Sequence, residues 1–473
     1  MTSRRVTSGD EGLDDTLDGG FPEGSIILVV GRAGTGKSIL GSQFICKSRD
    51  LDESALIMLT NEDKETYISN ISSYLNRNCN ECLQDKKHDI IEFPLTSARD
   101  APVALAQSLS RAKELRAKRL LIDSFTPIAQ LLGSPTEIRK AILNIRDQLG
   151  RPFGCTTILI VDLPRGEKRI GEGVEEFIAD AIIELGSKEL GGHIIRQLAI
   201  LKFRGTKITH RRSAYTLKGG FRTIKPFTLK PPEKEYRFQP TQDCPGKFST
   251  GVERLDLLLD GGYPQGGVVL FDLSEQVTFR QYRLVVDPVV WNSLAHNRGR
   301  TSFLALGRDY ESFEARMLGA GFTGDELERL TRIMIYDSSG VPERPFIFRL
   351  DGDYEKDIAT YTTVAQELVQ TTGQPILQIL NIDTVAAEYK TDIVSFLDSY
   401  MRISRVAGNL TLAILRSHAS DIRGMLEPLA DLHLKMDVSH DALVLYGVKP
   451  RMELHFVQPD ASRGYLMPEL IAH

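Results

Sequence analysis

Residues 31–38 read GRAGTGKS, a full match to the spacing GxxxxGK[ST]. Such a segment is suited to holding phosphate. Glycines at 31, 34 and 36 open backbone conformations closed to other residues. Successive N–H groups can then face one oxyanion at a helix N-terminus. Lys37 adds a point charge for the β- and γ-phosphates, and Ser38 a hydroxyl for Mg2+. The loop Gly31, Arg32, Ala33, Gly34, Thr35, Gly36, Lys37 and Ser38 is therefore a candidate nucleotide site, with ATP and Mg2+ as its expected ligands. Phosphoryl transfer also needs an acid near the metal and a group that orients water. RLLIDS supplies Asp123 at the end of an apolar run, and LTNEDKE supplies Glu62 just past another. Each has a plainer alternative: Asp123 as the cap of the next turn, Glu62 as an exposed loop acid.

The elements that must carry these residues are legible as alternation. IILVV at 26–30, ALIML at 55–59, RLLID at 119–123 and TTILIVDL at 156–163 are continuous apolar runs separated by amphipathic stretches. Runs of that kind suit strands covered on both faces, as in a parallel sheet, so the class is α/β. The phosphate loop follows one such run and precedes the helix-like ILGSQFICKS, the context the motif requires.

The chain also repeats itself. Gly9–Leu28, GLDDTLDGGFPEGSIIL with its preceding GDE, recurs without a gap as Gly251–Leu270, 242 positions on. Gly9, Leu13, Asp14, Asp18, Gly19, Gly20, Pro22 and Gly24 are all matched, which predicts a tandem duplication. The same shift places LSEQVTFR, 273–280, over the phosphate loop, with Phe279 at the lysine position and every loop glycine gone. Arg308 falls over Glu62, whereas Asp383 in LNIDTV is read as retaining the strand-end acid. The second half is therefore expected to be a pseudo-ATPase with a scaffold or regulatory duty. Between the halves, KPPEKEYRFQPTQDCPG has linker composition, proline- and charge-rich and locally basic. The expected division is 1–227, a linker 228–246 and 247–473.

Composition sets bounds. At 473 residues the chain exceeds one ordinary core, and its 41% hydrophobic and 26% charged residues are those of a globular protein. A net charge of −5 gives no overall pull toward nucleic acid or an anionic membrane. The N-terminus lacks a signal-like apolar core and no run is long enough to span a bilayer, so a cytoplasmic location is expected. Five cysteines, at 46, 79, 82, 155 and 244, make no disulfide framework. Cys79 and Cys82 form one CxxC with His88 downstream, too few ligands at recognisable spacing for zinc.

Taken together, GLDDTLDGGFPEGS, GRAGTGKS, LTNED, LIDSFTPI, GVEEFIADAIIEL at 173–185 and LKFRGT at 201–206 resemble the KaiC-type branch of the RecA-like ATPases. The resemblance is strong over 6–227 and weak over 247–470. It implies two tandem RecA-like P-loop domains, each a mainly parallel central sheet flanked by helices, the second degenerate. It also implies an adjacent glutamate pair after the second strand. Here that pair aligns with Asn61 and Glu62, leaving Glu62 alone as the base, so that hydrolysis, if slow, is still expected. Members form hexameric rings with ATP between subunits, and a Lys-x-Arg pair from the neighbour reaches the γ-phosphate. Lys202 and Arg204 match that pair, though by themselves they read as surface cations. Lys449 and Arg451 repeat it in the second half. The Ser-Thr pair that the family's clock protein phosphorylates in its second domain aligns with Glu427 and Pro428, so autokinase activity is not expected.

Three functions follow as expectations. The first is an ATP-hydrolysing ring, a homo-oligomer and most simply a hexamer, whose second tier acts on an unknown regulatory protein partner. The second is a regulator that binds ATP and scarcely turns it over. The third, less favoured, is a DNA-recombination accessory using PRGEKRIGEG at 164–173. Its cations Arg165, Lys168 and Arg169 are offset by Glu167 and Glu172, and it has no aromatic for base stacking.

Overall fold

Each continuous apolar run of the first half is a strand, and its alternate side chains enter two different cores. Ile27 and Val29 pack into one cluster with Leu40 and Phe44, while Ile26, Leu28 and Val30 pack into another with Leu105, Ile138 and Ile142. This is the period-two arrangement of a sheet covered on both faces by helices. The computed structural model describes residues 4–473 except 77–78, 80–82, 84, 98, 165–177, 206–207, 209, 234–235, 305–307, 337–343 and 417–419. It divides into two units, one ending at Pro226 and one spanning Phe227–Ala472.

In the first unit, Arg5–Val6 (β1) pairs with Phe21–Pro22 (β2). The main sheet contains Ile26–Gly31 (β3), Ala55–Leu59 (β4), His88–Glu92 (β5), Arg119–Asp123 (β6), Thr156–Asp162 (β7), Ala181–Leu190 (β8), His193–Phe203 (β9), Arg212–Thr216 (β10) and Arg222–Thr223 (β11). Its order is β11-β10-β9-β8-β3-β7-β6-β4-β5. From β8 to β5 neighbours are parallel, and β9, β10 and β11 extend it antiparallel.

The second unit repeats this plan. Lys247–Phe248 (β12) pairs with Tyr263–Pro264 (β13). The sheet contains Val268–Leu273 (β14), Arg300–Leu304 (β15), Thr331–Ile335 (β16), Ile347–Arg349 (β17), Leu377–Asn381 (β18), Leu410–Arg416 (β19), Leu432–Ser439 (β20), Ala442–Lys449 (β21), Met452–Asp460 (β22) and Met467–Ala472 (β23). Its order, β17-β16-β15-β18-β19-β14-β20-β21-β22-β23, matches the first with β17 added at one edge. The molecule is thus α/β, with two large, mainly parallel sheets flanked by helices, as the RecA-like resemblance implied.

The repeated entry segment folds alike in both units. Asp14 accepts a hydrogen bond from the Ser8 N–H, and Asp256 one from the Thr250 N–H, each at 2.7 Å. Gly20 and Gly262 adopt φ of 110° and 113°, and a Cβ at either would collide with the preceding strand's backbone. The repeat is conformational as well as textual because only glycine satisfies that approach.

The segment 228–246, of linker composition, packs against the second unit. Phe238 is buried between Trp291 and Tyr465, and its N–H donates to the Ala320 carbonyl at 2.9 Å. Arg237 lies over the Phe322 ring and grips both Glu326 carboxylate oxygens, at 2.6 and 3.2 Å. One buried aromatic in a charged, proline-rich stretch is enough to anchor it.

Candidate nucleotide site

The site forms where β3, β7 and β6 end side by side. The chain leaves β3 at Gly31 and enters the helix Lys37–Asp50 through the loop. Gly34 and Gly36 have φ of 79° and 89°. Gly31 needs to be glycine for a different reason: a Cβ there would strike the Leu185 carbonyl of neighbouring β8. Gly36 caps the helix without any side-chain hydrogen bond. The first-turn N–H groups therefore face outward with the helix dipole behind them, a ready anion site. Tyr215, buried on β10, donates its hydroxyl to the Thr35 carbonyl at 2.5 Å and pins the loop from beneath.

Lys37 is 7% exposed, and its Nζ donates to the carbonyls of Gly31 and Arg32 at 3.0 and 2.9 Å. It also pairs with Asp162 Oδ1 at 3.0 Å. Asp162 ends β7, hydrogen-bonded to the Ser124 hydroxyl at 3.1 Å and fixed through its backbone N–H by Thr126 Oγ1 at 2.8 Å. Asp123 ends β6, next to a cis peptide to Ser124. Burial pushes its carboxyl up to about 6; the Ser38 hydroxyl bond and Lys37 oppose that rise, while the charges of Asp162 and Glu62 add to it. Two strand-end carboxylates and a serine hydroxyl at one point form an all-oxygen donor set of the kind that suits Mg2+, and the mutual repulsion of the acids favours a cation there. Glu62 lies in the exposed turn after β4, where Asn70 donates to its Oε1 at 2.7 Å.

Lys202 and Arg204 lie elsewhere. Lys202 is opposite Ile182 near the start of β8, and Arg204 sits 3.7 Å from Asp180, which precedes β8. Asp180 also holds the N–H of Ile26, the first residue of β3. Arg204 is thus at the opposite end of β3 from the loop, about 17 Å away for five residues of strand, and Lys202 is level with Leu28, about 10 Å short of Gly31 along the strand. Loop, Ser38, Asp123 and Glu62 converge, and the two cations do not join them.

Asp162 was not singled out in the sequence, although TTILIVDL ends in an acid just as RLLID does. Tyr215 had no signal at all. Of the other sequence candidates, 165–173 and Cys82 lie outside the described residues. Cys79 is buried, and His88 is engaged with Ser48 and Asp85, both at 2.8 Å.

Strand register identifies what occupies each position in the second unit. Gly31 pairs with Asp162 across β3 and β7, and Leu273 pairs with Arg416 across β14 and β19. By the same ladders, β18 ends at Asn381, which corresponds to Asp123. This corrects the reading of Asp383, which falls in the first turn of the helix Ile382–Tyr389. Asn381 instead donates to the Phe303 carbonyl at 2.9 Å. The helix Phe279–Ala295 begins with a capping box, Thr278 accepting from the Gln281 N–H and Gln281 reaching back to Thr278. Two of the N–H groups at this helix start, those of Thr278 and Gln281, are thereby taken up internally. Beside it, Asp272 is buried and ion-paired to Arg423 at 2.9 Å and Lys435 at 3.3 Å.

A parallel sheet with this loop and paired strand-end acids defines a P-loop nucleotide-binding unit of the RecA-like kind. Residues 6–226 match the family model described as the KaiC ATPase, and this half of the chain is a KaiC-like ATPase domain. Across both halves, the chain is 24% identical to Protein GvpD2 of Halobacterium salinarum, over 93% of this chain and 91% of that protein. It is 27% identical to the circadian clock oscillator protein KaiC of Parasynechococcus marenigrum, over 74% and 69%. A UPF0273 protein of Thermotoga maritima is 29% identical over 45% of this chain and 93% of its own length. Among the described residues no helix is long and apolar enough to cross a membrane.

Proposed function

We propose that the first unit binds and slowly hydrolyses ATP with Mg2+ as part of a homo-oligomeric ring, most simply a hexamer, and that the second unit binds no nucleotide and serves as a regulatory tier. The observation that carries this reading is the register comparison: loop glycine, Asp123 and Asp162 in one unit against Leu273, Asn381 and Arg416 in the other. Bound ATP supplies the phosphoanhydride, and Mg2+ the positive charge that draws out its leaving group. The open N–H groups after Gly36 receive the phosphates. Lys37 turns from the Gly31 and Arg32 carbonyls toward them. Ser38, with Asp123 and Asp162 behind it, holds the cation, and Glu62 orients water. Lys202 and Arg204, too distant to act on their own loop, serve a neighbouring copy's γ-phosphate. The likeness to a circadian clock oscillator protein supports a regulatory role; a cytoplasmic location and a regulatory protein partner belong to the same proposal.

A second reading, ATP-gated regulation with scarcely any turnover, is favoured by the Asn70 hydrogen bond on Glu62, which diverts the base. Calorimetry with a non-hydrolysable ATP analogue tests the central claim. One site per chain is expected, and two equivalent sites would overturn it. Steady-state turnover, with and without single-stranded DNA, then separates hydrolysis, silent binding and the DNA-accessory alternative.

A further inference from the structure

Asp180, just before β8, ties three pieces of the first unit together. Its Oδ2 accepts from the Ile26 N–H and from Arg146 Nη2, each at 3.0 Å, and Arg146 also donates to the Ile178 carbonyl at 2.7 Å. Its backbone carbonyl accepts from the Arg204 N–H at 2.9 Å, and its Oδ1 lies 3.7 Å from Arg204 Nη1. The second unit repeats part of this arrangement. Strand register makes Asp431, just before β20, the counterpart of Asp180. Asp431 Oδ2 accepts from the Val268 N–H at 2.8 Å and from Arg405 Nη2 at 3.0 Å, and Arg405 donates to the Leu429 carbonyl at 2.7 Å. The clamp of acid, arginine and strand N–H therefore belongs to the fold of both units. The contact to Arg204 does not. Among the described residues Asp431 forms its ion pair with Arg405, and Arg451, the match of Arg204, is exposed and does not join it.

The extra contact thus accompanies the unit that has the phosphate loop. Arg204 is half exposed, and a long cationic side chain in that setting loses rotamer freedom when it is ordered on a phosphate. A carboxylate fixed near its base limits that search before the nucleotide arrives. Asp180 can serve as such a fixed point because its Oδ2 is held by Ile26 and Arg146. At 3.7 Å the contact to Arg204 is an ion pair beyond hydrogen-bond range, so it biases the guanidinium without locking it away from a phosphate. We propose that Asp180 is a positioning residue that aims Arg204 at the γ-phosphate bound by a neighbouring copy. This rests on the reading that Lys202 and Arg204 act in trans.

Asp180→Asn keeps the shape and an acceptor for the Ile26 N–H but removes the charge facing Arg204. Turnover by the full-length protein should fall about tenfold, with the KM for ATP within about twofold, because the loop still binds. Added to Arg204→Ala, it should cost no more than about a further twofold, as expected of residues that act through one another. Pairs of variants are then co-expressed with a different tag on each chain and purified through both tags. Asp180→Asn with Glu62→Gln should exceed the mean of its parents, because some interfaces join an intact loop to an intact Asp180 and Arg204. Asp180→Asn with Arg204→Ala should show no such gain. The reverse pattern would make Asp180 a support of its own loop and overturn the proposal, as would unchanged turnover in folded Asp180→Asn. Asp431→Asn, which alters the same clamp in the second unit, should leave turnover within about twofold. An equal loss there would mark a general effect on folding and also overturn it. Should Asp180→Asn fail to fold, Asp180→Glu takes its place in the same assays, since it keeps the charge but shifts it by one methylene; wild-type turnover in that variant would have the same consequence. Arg204→Ala with Glu62→Gln is the control. If that pair shows no gain, action in trans is wrong and Asp180 has no cation to aim. If it gains and Asp180→Asn with Glu62→Gln does not, only the role of Asp180 is overturned.

Discussion

At the scale of single residues, the site separates groups that bind from groups that turn over. Glu62→Gln keeps the side chain's shape and its Asn70 contact but removes proton-accepting capacity. ATP affinity should stay within about twofold, and turnover should fall about a hundredfold or more if Glu62 orients water. Unchanged turnover in a steady-state assay would return Glu62 to the status of a loop acid. Asp162→Asn removes a charge that pairs with Lys37 and sits beside Asp123. The Mg2+ concentration for half-maximal turnover should rise about tenfold, as expected when one of two carboxylates near the metal is neutralised. A Mg2+ titration of turnover checks this, and an unaltered midpoint would confine Asp162 to anchoring Lys37.

At the scale of elements, the sequence was most informative where a local pattern has one physical solution. Apolar runs with no polar alternation are buried strands, and the glycine loop lies between a strand and a helix as its motif requires. The pieces it left out are those fixed by distant partners. Tyr215 meets Thr35 across 180 residues of chain, a contact with no local mark. Asn381 displaced Asp383 from the strand end because register, and not residue type, decides which side chain faces the site. The connecting segment's apolar residues come singly among charges, so nothing local marks which of them anchor it; Arg237 and Phe238 do. Arg237→Ala should therefore cost about 1 kcal/mol, since the pair is half exposed. That lowers the second unit's Tm by about 2–4 °C and speeds proteolysis within 227–246. The Arg237 hydrogen bonds hold the Glu326 carboxyl down at about 2. A depressed acid stabilises the fold above its unfolded value, about 4.3, and loses that contribution as pH falls through its folded one. The Tm difference between wild type and Arg237→Ala should accordingly be full at neutral pH and shrink between about pH 4 and 2. A difference constant across that range would show that packing on Phe322, and not the ion pair, is responsible.

At the scale of the whole molecule, the placement of Lys202 and Arg204 has consequences for assembly. If the pair serves a nucleotide, as proposed, it serves a neighbour's, and a single subunit has an incomplete site. ATP bridging two copies would favour the oligomer by mass action, and light scattering should show larger particles with nucleotide than without. Arg204→Ala should still bind ATP but hydrolyse it poorly. Mixed with Glu62→Gln chains, it should regain part of the lost activity. Interfaces that join an intact Glu62 loop to a neighbour's intact Arg204 are then wild type. A mixture that exchanges subunits and stays as inactive as its parents would make the pair ordinary surface cations.

The capping box at Thr278 and Gln281 has a further meaning, for the history of the chain. If the second unit binds no nucleotide, as proposed, its helix start already spends two donors, the Thr278 and Gln281 N–H groups, on its own side chains. Phe279→Lys alone would place an ammonium beside amides already engaged, with Arg416 where an acid should be and no glycine to let a phosphate near. Each single reversion is thus without benefit until the others are made. On the proposed reading, the difference between the two units is held by several features at once, and the hydrogen bonds of one helix start are among them.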